Sequence, residues 1–274
     1  MRSSKSSTWL RTAGLIVVLC LFVFPFFFLL LNSFKANTAI TSNPLAFPEV
    51  FNWDNYRNAF EKMNYTASFF NSLVITLLGV ALISLFAAMT AHYFVRNNTK
   101  FNQYTFMIMV AAMIIPFQAI MIPLVKIYGS LNLLDNKWSL IYMYLGFGSP
   151  LAVFIYHGFV KGIPAELEEA ALIDGCTRRQ TFFRIVFPVL APTTATISIL
   201  NVLWIWNDYL LPSLILVSPE NRTLPLSTFN FYGTYSVDYG PLMAGLVLTV
   251  MPIMLVYMFA QRYIIQGVMQ GSIK

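Results

Sequence analysis

Six stretches of the chain, each of about twenty residues or more, run almost without charge, and this pattern admits very few folds. They cover residues 13–31, 68–95, 104–125, 138–160, 192–216 and 241–261, and only the fifth is interrupted by an acid, Asp208. A hydrocarbon layer about 30 Å thick is crossed by roughly 20 apolar residues in a helix. The spacing therefore predicts an all-α, polytopic membrane protein with six transmembrane helices in one domain. A barrel is excluded, because its strands would be about ten residues of alternating pattern. Only 10% of the 274 residues are charged, against about 25% in an ordinary soluble domain. Several spans contain Pro or Gly (Pro25, Gly79, Pro116, Pro123, Pro150, Pro252), which membrane helices tolerate where neighbours or water satisfy the freed backbone groups.

Basic residues set the expected orientation. With the N-terminus inside, the inner segments hold eleven Lys and Arg and the outer segments six, the asymmetry of the positive-inside rule. Both termini are then cytoplasmic, in a multi-pass protein of the plasma membrane. The net charge of +6 follows mostly from this bias and does not point to nucleic acid. The first apolar run exceeds the 7–15 residues of a secretory core and lacks a small-x-small cleavage site, so it reads as a retained anchor. Cys20 and Cys176 fall in a span and in a cytoplasmic loop, an unsuitable placement for a disulfide. Two sequons, at Asn64 and Asn221, match a tripeptide that arises readily by chance.

Three connecting segments are long. Residues 32–67 form an outer loop with turn formers followed by an aromatic, partly helical stretch, Trp53 to Met63, and residues 218–240 form a second outer loop. The third, residues 161–191, lies on the cytoplasmic side and reads as two short helices. Pro164 suits a first turn, and Glu166, Glu168 and Glu169 place negative charge at the positive end of the helix dipole. Leu167, Ala170 and Ala171 recur as a narrow stripe of mostly small apolar side chains. Gly175 stops the helix, and Thr177 with Gln180 fits a capping box opening a second helix. That helix carries Phe182, Phe183, Ile185 and Val186, and Pro188 ends it. Pattern alone leaves two readings open: a helix pair that fits a partner's groove, or a loop packed on its own bundle.

Glu169-Ala170-Ala171, three residues, Gly175, nine residues and Ile185-Val186-Phe187-Pro188 together resemble the EAA loop of ATP-driven, binding-protein-dependent importers. The family pattern is E-A-A-x3-G-x9-I-x-L-P, frequently with an acid before the glycine, here Asp174. Phe187 replaces the family leucine with another large apolar residue. Further segments are similar to maltose-type carbohydrate permeases: Asn55-Tyr56, Asn71-Ser72, Pro116-Phe117-Gln118, Pro123, Trp206-Asn207-Asp208, Leu224-Pro225-Leu226, Gln261-Arg262-Tyr263 and the tail from Gln266 to Lys274. In residues 1–50 only a hydrophobic span is shared. The combination resembles the shorter permease of a heterodimeric pair. The resemblance implies a type I ABC importer fold, a second homologous permease, two cytoplasmic ATPases carrying ATP and Mg, and an extracellular sugar-binding protein. It also implies that Glu169, Ala170, Ala171, Asp174, Gly175, Ile185 and Pro188 couple to the ATPases, and that the tail reaches their interface.

The chain lacks a G-x4-G-K-[S/T] loop, so the phosphate cradle of such ATPases is not its own. The alternative is a self-sufficient ion-coupled carrier. Such a carrier often places titratable groups in its spans and shows repeated halves, whereas this chain has no evident repeat and one acid within or near a span. Nor does any Ser/His/Asp or paired-carboxylate arrangement point to an enzyme. His92 and His157 lack companions at metal-ligand spacing.

Asp208 falls about 18 residues, roughly 27 Å, beyond the cytoplasmic start of its helix, in the outer part of the membrane. Asn201, Trp204 and Asp208 are expected to share one face, where polar groups beside an aromatic plate suit a sugar. Gln118 between two prolines, and Asn207, complete the candidate pathway. The alternative is that these polar residues brace helices against one another.

Overall fold

The computed structural model describes residues 5–233 and 236–272. In chain order its helices are α1 (Lys5–Asn32), α2 (Asn37–Ser42), α3 (Asp54–Lys62), α4 (Tyr65–Arg96), α5 (Lys100–Ala112), α6 (Phe117–Ser130) and α7 (Lys137–Val160). They continue as α8 (Glu166–Ile173), α9 (Arg178–Thr181), α10 (Phe187–Val189), α11 (Ala191–Asn207), α12 (Leu210–Ile215), α13 (Leu224–Ser227) and α14 (Tyr239–Ser272). Among the described residues four helices, α1, α4, α7 and α14, are long and apolar enough to cross a membrane. The number rises to six if each of two bent pairs counts as one span.

The third and fifth expected spans are not single rods. Residues 104–125 fall on α5 and α6, which meet at 103°. Pro116 supplies no N–H and crowds the residue before it out of helical geometry, so the chain leaves α5 at Ala112 and restarts after Pro116 at φ −67°, ψ 138°. Pro25, Pro123, Pro150 and Pro252, by contrast, sit inside unbroken helices. The run 192–216 breaks at Asp208, whose ψ of 129° is extended. The 17 residues of α11 reach only about 25 Å at 1.5 Å per residue.

Two compact units divide the chain. One comprises Met1–Thr66 and Ser227–Pro252. There α1 exposes apolar side chains around most of its circumference, among them Leu15, Leu19, Phe22 and Phe26, as suits a helix whose neighbour is lipid. After it, the chain is pinned by polar contacts. Asn55 Nδ2 donates to the Ser33 and Lys35 carbonyls at 2.9 and 2.8 Å, and buried Lys35 donates to the carbonyls of Asn43 and Pro44. Lys62 pairs with Asp238. The helical stretch expected from Trp53 to Met63 is α3.

The other unit comprises Ala67–Leu226 and Ile253–Lys274 and contains the larger core. Ile83, Ala87, Ala88 and Ala91 of α4 are essentially inaccessible, as are Leu140, Tyr144, Val153 and Tyr156 of α7 and Ile197 of α11. Small residues let these helices approach closely. A Cβ on Gly148 would stand 2.5 Å from Ile83 Cδ1 and 3.0 Å from Asn201 Oδ1. Hydrogen bonds also join the helices: Tyr156 Oη to Thr194 at 2.8 Å and Ser84 to Ser198 at 3.2 Å. Between α6 and α7, Asp135 Oδ1 accepts from the Val217 and Ser218 amides at 3.0 and 2.9 Å, and Oδ2 accepts from the Ser218 hydroxyl. The contacts of the tail from Gln266 to Lys274 lie outside the described residues.

Candidate functional site

The loop between α7 and α11 owes its shape to a few local rules. Helix α8 starts with three glutamates in its first turn and ends where Gly175 takes φ +86°. The Cys176 amide donates to the Ala171 carbonyl at 2.9 Å, and the Gly175 amide donates to that of Leu172 at 3.1 Å. This is the paired bonding of a Schellman turn, which requires a left-handed residue at that point. Two residues later Thr177 opens α9 with the reciprocal capping box: its amide donates to Gln180 Oε1 at 2.8 Å, and the Gln180 amide donates to Thr177 Oγ1 at 3.3 Å.

The second helix ends at Val189, one residue beyond the Pro188 at which the sequence predicts its end. Residues Phe182–Val186 widen into a π-turn, the chain continues helically through Val189, and it then turns by 74° into α11. Pro188 brings no N–H for a carbonyl one turn earlier, and local π adjustments of this kind re-satisfy backbone groups freed by a proline in membrane helices.

The residues expected to couple to a partner divide between two faces. Ala171 is 7% exposed and turns into the protein, so it cannot lie on an outward stripe with Leu167 and Ala170. The outward surface instead carries Leu167, Ala170 and Ile173, the last 86% exposed, flanked by Glu166, Glu169 and Asp174. Ile185 is half-buried and Pro188 exposed.

Sequence reasoning missed the contacts that hold this loop. Glu168 Oε1 accepts from Arg96 Nε at 2.8 Å, and Oε2 lies 2.9 Å from His92 Nε2. A carboxylate only accepts, so that imidazole nitrogen carries the proton. Arg96 Nη2 also donates to the Ile163 carbonyl at 2.8 Å. The available signal was a His and an Arg four apart at the end of an apolar helix, hence on one face. The acid that joins them is more than seventy residues away in sequence. Among the described residues no cluster of three metal-ligating side chains occurs.

The candidate pathway residues are only partly brought together. Trp204 and Asp208 line a cavity of about 740 Å³ together with Phe117, Tyr128, Tyr142 and Ser149. Asn201 does not join them. It is 7% exposed and donates to the Ile197 carbonyl at 2.9 Å, because the face it occupies packs on α7 at Gly148. Gln118 is exposed outside the cavity lining, and Asn207 is exposed with its amide on the Leu203 carbonyl. Asp208 is engaged on both carboxylate oxygens: Oδ2 accepts from Tyr144 Oη at 2.8 Å, and Oδ1 accepts from the Leu210 amide at 3.0 Å. It thus braces α11 against α7 and turns the chain into α12. Tyr144 was also missed; its ring stands edge-on to Trp204 at 5.4 Å.

Comparison with known proteins agrees with this architecture. Residues 81–270 match the family model of the binding-protein-dependent transport system inner membrane component. The chain is 42% identical over its full length, and the full length of the relative, to a probable starch degradation products transport system permease protein, AmyC, of Thermoanaerobacterium thermosulfurigenes. It is 37% identical to the multiple sugar-binding transport system permease protein MsmG of Streptococcus mutans, covering 97% of this chain and 95% of that one. The fold is similar to that of a chain in the crystal structure of a bacterial ABC transporter involved in the import of the acidic polysaccharide alginate, with TM-score 0.81, 20% identity, and coverage of 96% and 99%. The chain is a multi-pass membrane protein that belongs to the family of inner-membrane components of binding-protein-dependent transport systems.

Proposed function

We propose that this chain is one of two membrane subunits of an ATP-driven importer of uncharged oligosaccharides. The cytoplasmic loop is the contact with an ATPase subunit, a second permease completes the pathway, and an external binding protein delivers the sugar. ATP and Mg are held by the ATPases. One observation carries the reading: a loop locked by the left-handed Gly175 and the Thr177–Gln180 box presents Ile173, 86% exposed, beside three acids. An apolar knob on a rigid turn is suited to a groove in a partner. The charge bias supports a cytoplasmic position for this loop and for both termini.

The substrate class follows from the cavity and from the relatives' names. Its aromatic lining, including Trp204, Tyr128, Tyr142 and Phe117, offers faces for the C–H surfaces of sugar rings. Among the described lining residues there is no Lys or Arg, and the one acid is already bonded to Tyr144 and Leu210. Such a lining favours a neutral saccharide over a phosphorylated or acidic one. The test is co-purification with an ATPase, followed by ATP hydrolysis of the reconstituted complex across a panel of sugars with the binding protein. Stimulation by neutral oligosaccharides is expected. Transport by this chain alone in liposomes, or stimulation only by charged sugars, would overturn the proposal.

A further inference from the structure

We propose that Glu168 is a positioning residue that fastens the cytoplasmic loop to α4, so that α4 carries the loop's movement to the transport cavity as a rigid rod. The proposal rests on the reading above that the loop meets an ATPase. Glu168 differs from its neighbour Glu169 in where it points: its side chain is only 13% exposed, and its partners His92 and Arg96 are 20% and 22% exposed, whereas Glu169 faces outward.

Two side chains one turn apart on α4 hold the loop at three places. Arg96 binds Glu168 and the Ile163 carbonyl, and His92 reaches Glu168 while its ring packs 5.4 Å from that of Phe182 in the π-turn. Both helical pieces of the loop are therefore tied to the same end of the same helix. Charged hydrogen bonds in a half-buried setting resist sliding more than an apolar contact would, because separating the partners leaves each of them unpaired.

Helix α4 is suited to transmit the movement. It runs 32 residues with no internal proline, whereas α1, α6, α7 and α14 each contain one. Seventeen residues before Arg96, about 25 Å at 1.5 Å per residue, Gly79 passes close to α7 and α11. A Cβ there would stand 3.2 Å from Ile205 Cδ1 and 3.9 Å from Tyr144 Cβ. Tyr144 in turn holds Asp208 at the cavity. A packed route of this kind, through a stiff element, is one way in which coupling between distant sites is carried.

The experiment uses the full complex of both permeases, ATPases and binding protein in lipid. Glu168→Gln and Arg96→Gln are each expected to assemble and to hydrolyse ATP, but to lose about tenfold of the stimulation by sugar-loaded binding protein, within the usual range of coupling effects. The double variant should be no worse than either single one. Arg96 lies on α4 rather than on the loop, so a shared defect separates linkage from direct contact with the ATPase. Unchanged stimulation in both variants, or losses that multiply in the double, would overturn the proposal. Spin labels at Tyr93 and Glu166 in the otherwise unaltered complex give a second readout, independent of how well the variants assemble. Their separation should stay the same in resting and ATP-bound states, and a change of a helical turn, about 5.4 Å, would refute the linkage. If no ATPase accompanies the unaltered chain, the functional reading fails first, and visibly so.

Discussion

Replacing Gly175 is the sharpest perturbation of the loop between α8 and α9, because backbone shape and available space separate cleanly there. The residue sits at φ +86°, and a Cβ built on it would meet no atom within 4 Å. Within this chain, any defect on substitution is therefore conformational and not steric. A left-handed backbone costs an ordinary L-residue roughly 1–2 kcal/mol, and less for Asn, whose side chain bonds locally. A β-branched residue lies at the upper end or beyond. At about 2 kcal/mol the Schellman turn is disfavoured roughly thirtyfold relative to the glycine form. The loop then tilts Ile173 and the α9 cap away from the presented geometry. Gly175→Asn should be close to the parent, Gly175→Ala intermediate and Gly175→Val severely impaired in uptake per assembled complex, with the protein still in the membrane. Uptake and sugar-stimulated ATP hydrolysis, both normalised to purified complex, measure this. Valine performing like glycine, or asparagine as poorly as valine, would refute the argument from φ.

Asp208→Ala removes the acceptor of the Tyr144 hydroxyl and of the Leu210 amide and should cost about 1–3 kcal/mol, seen as a lower yield and melting temperature of the complex, while Asp208→Asn is mild. Trp204→Ala, at a residue 42% exposed on the cavity, should spare yield and lower uptake per complex; full uptake would remove its stacking role. Ala171→Leu should overpack the buried side of α8 at about 1–3 kcal/mol and reduce folded protein; normal yield with lost uptake would instead put Ala171 on the docking face. For Asp135, burial acts to raise the carboxyl, but the bonds from Ser218, Asn221 and Val217 outweigh it and hold it below its ordinary value. Its contribution is thus fully present above the unfolded value near 3.9 and is lost as pH falls through the lower folded value. Thermal melts of Asp135→Asn should show a shallower acid loss than the parent, and identical slopes would refute the assignment.

The family, the helical class and the local form of the loop between α7 and α11 were legible in the sequence, because each rests on short-range chemistry. Apolar runs longer than a bilayer needs declare membrane helices whatever their neighbours, and Gly175 and the Thr177–Gln180 pair encode their turn and cap within a few residues. What periodicity could not supply was the choice of face and the continuity of a span. Pro116 stands at a break between helices while Pro123, Pro150 and Pro252 stand inside theirs, a difference that residue type alone does not encode. Spacing placed Asn201, Trp204 and Asp208 on one face, but the helix ends before Asp208 and the close approach at Gly148 turns Asn201 into the interior. Ala171 faces inward for a similar reason: tertiary burial takes one edge of a stripe that the sequence shows as uniform. The pairing of Glu168 with His92 and Arg96, and of Tyr144 with Asp208, joins residues distant in the chain, and only folding brings their charges and hydroxyls within hydrogen-bonding reach.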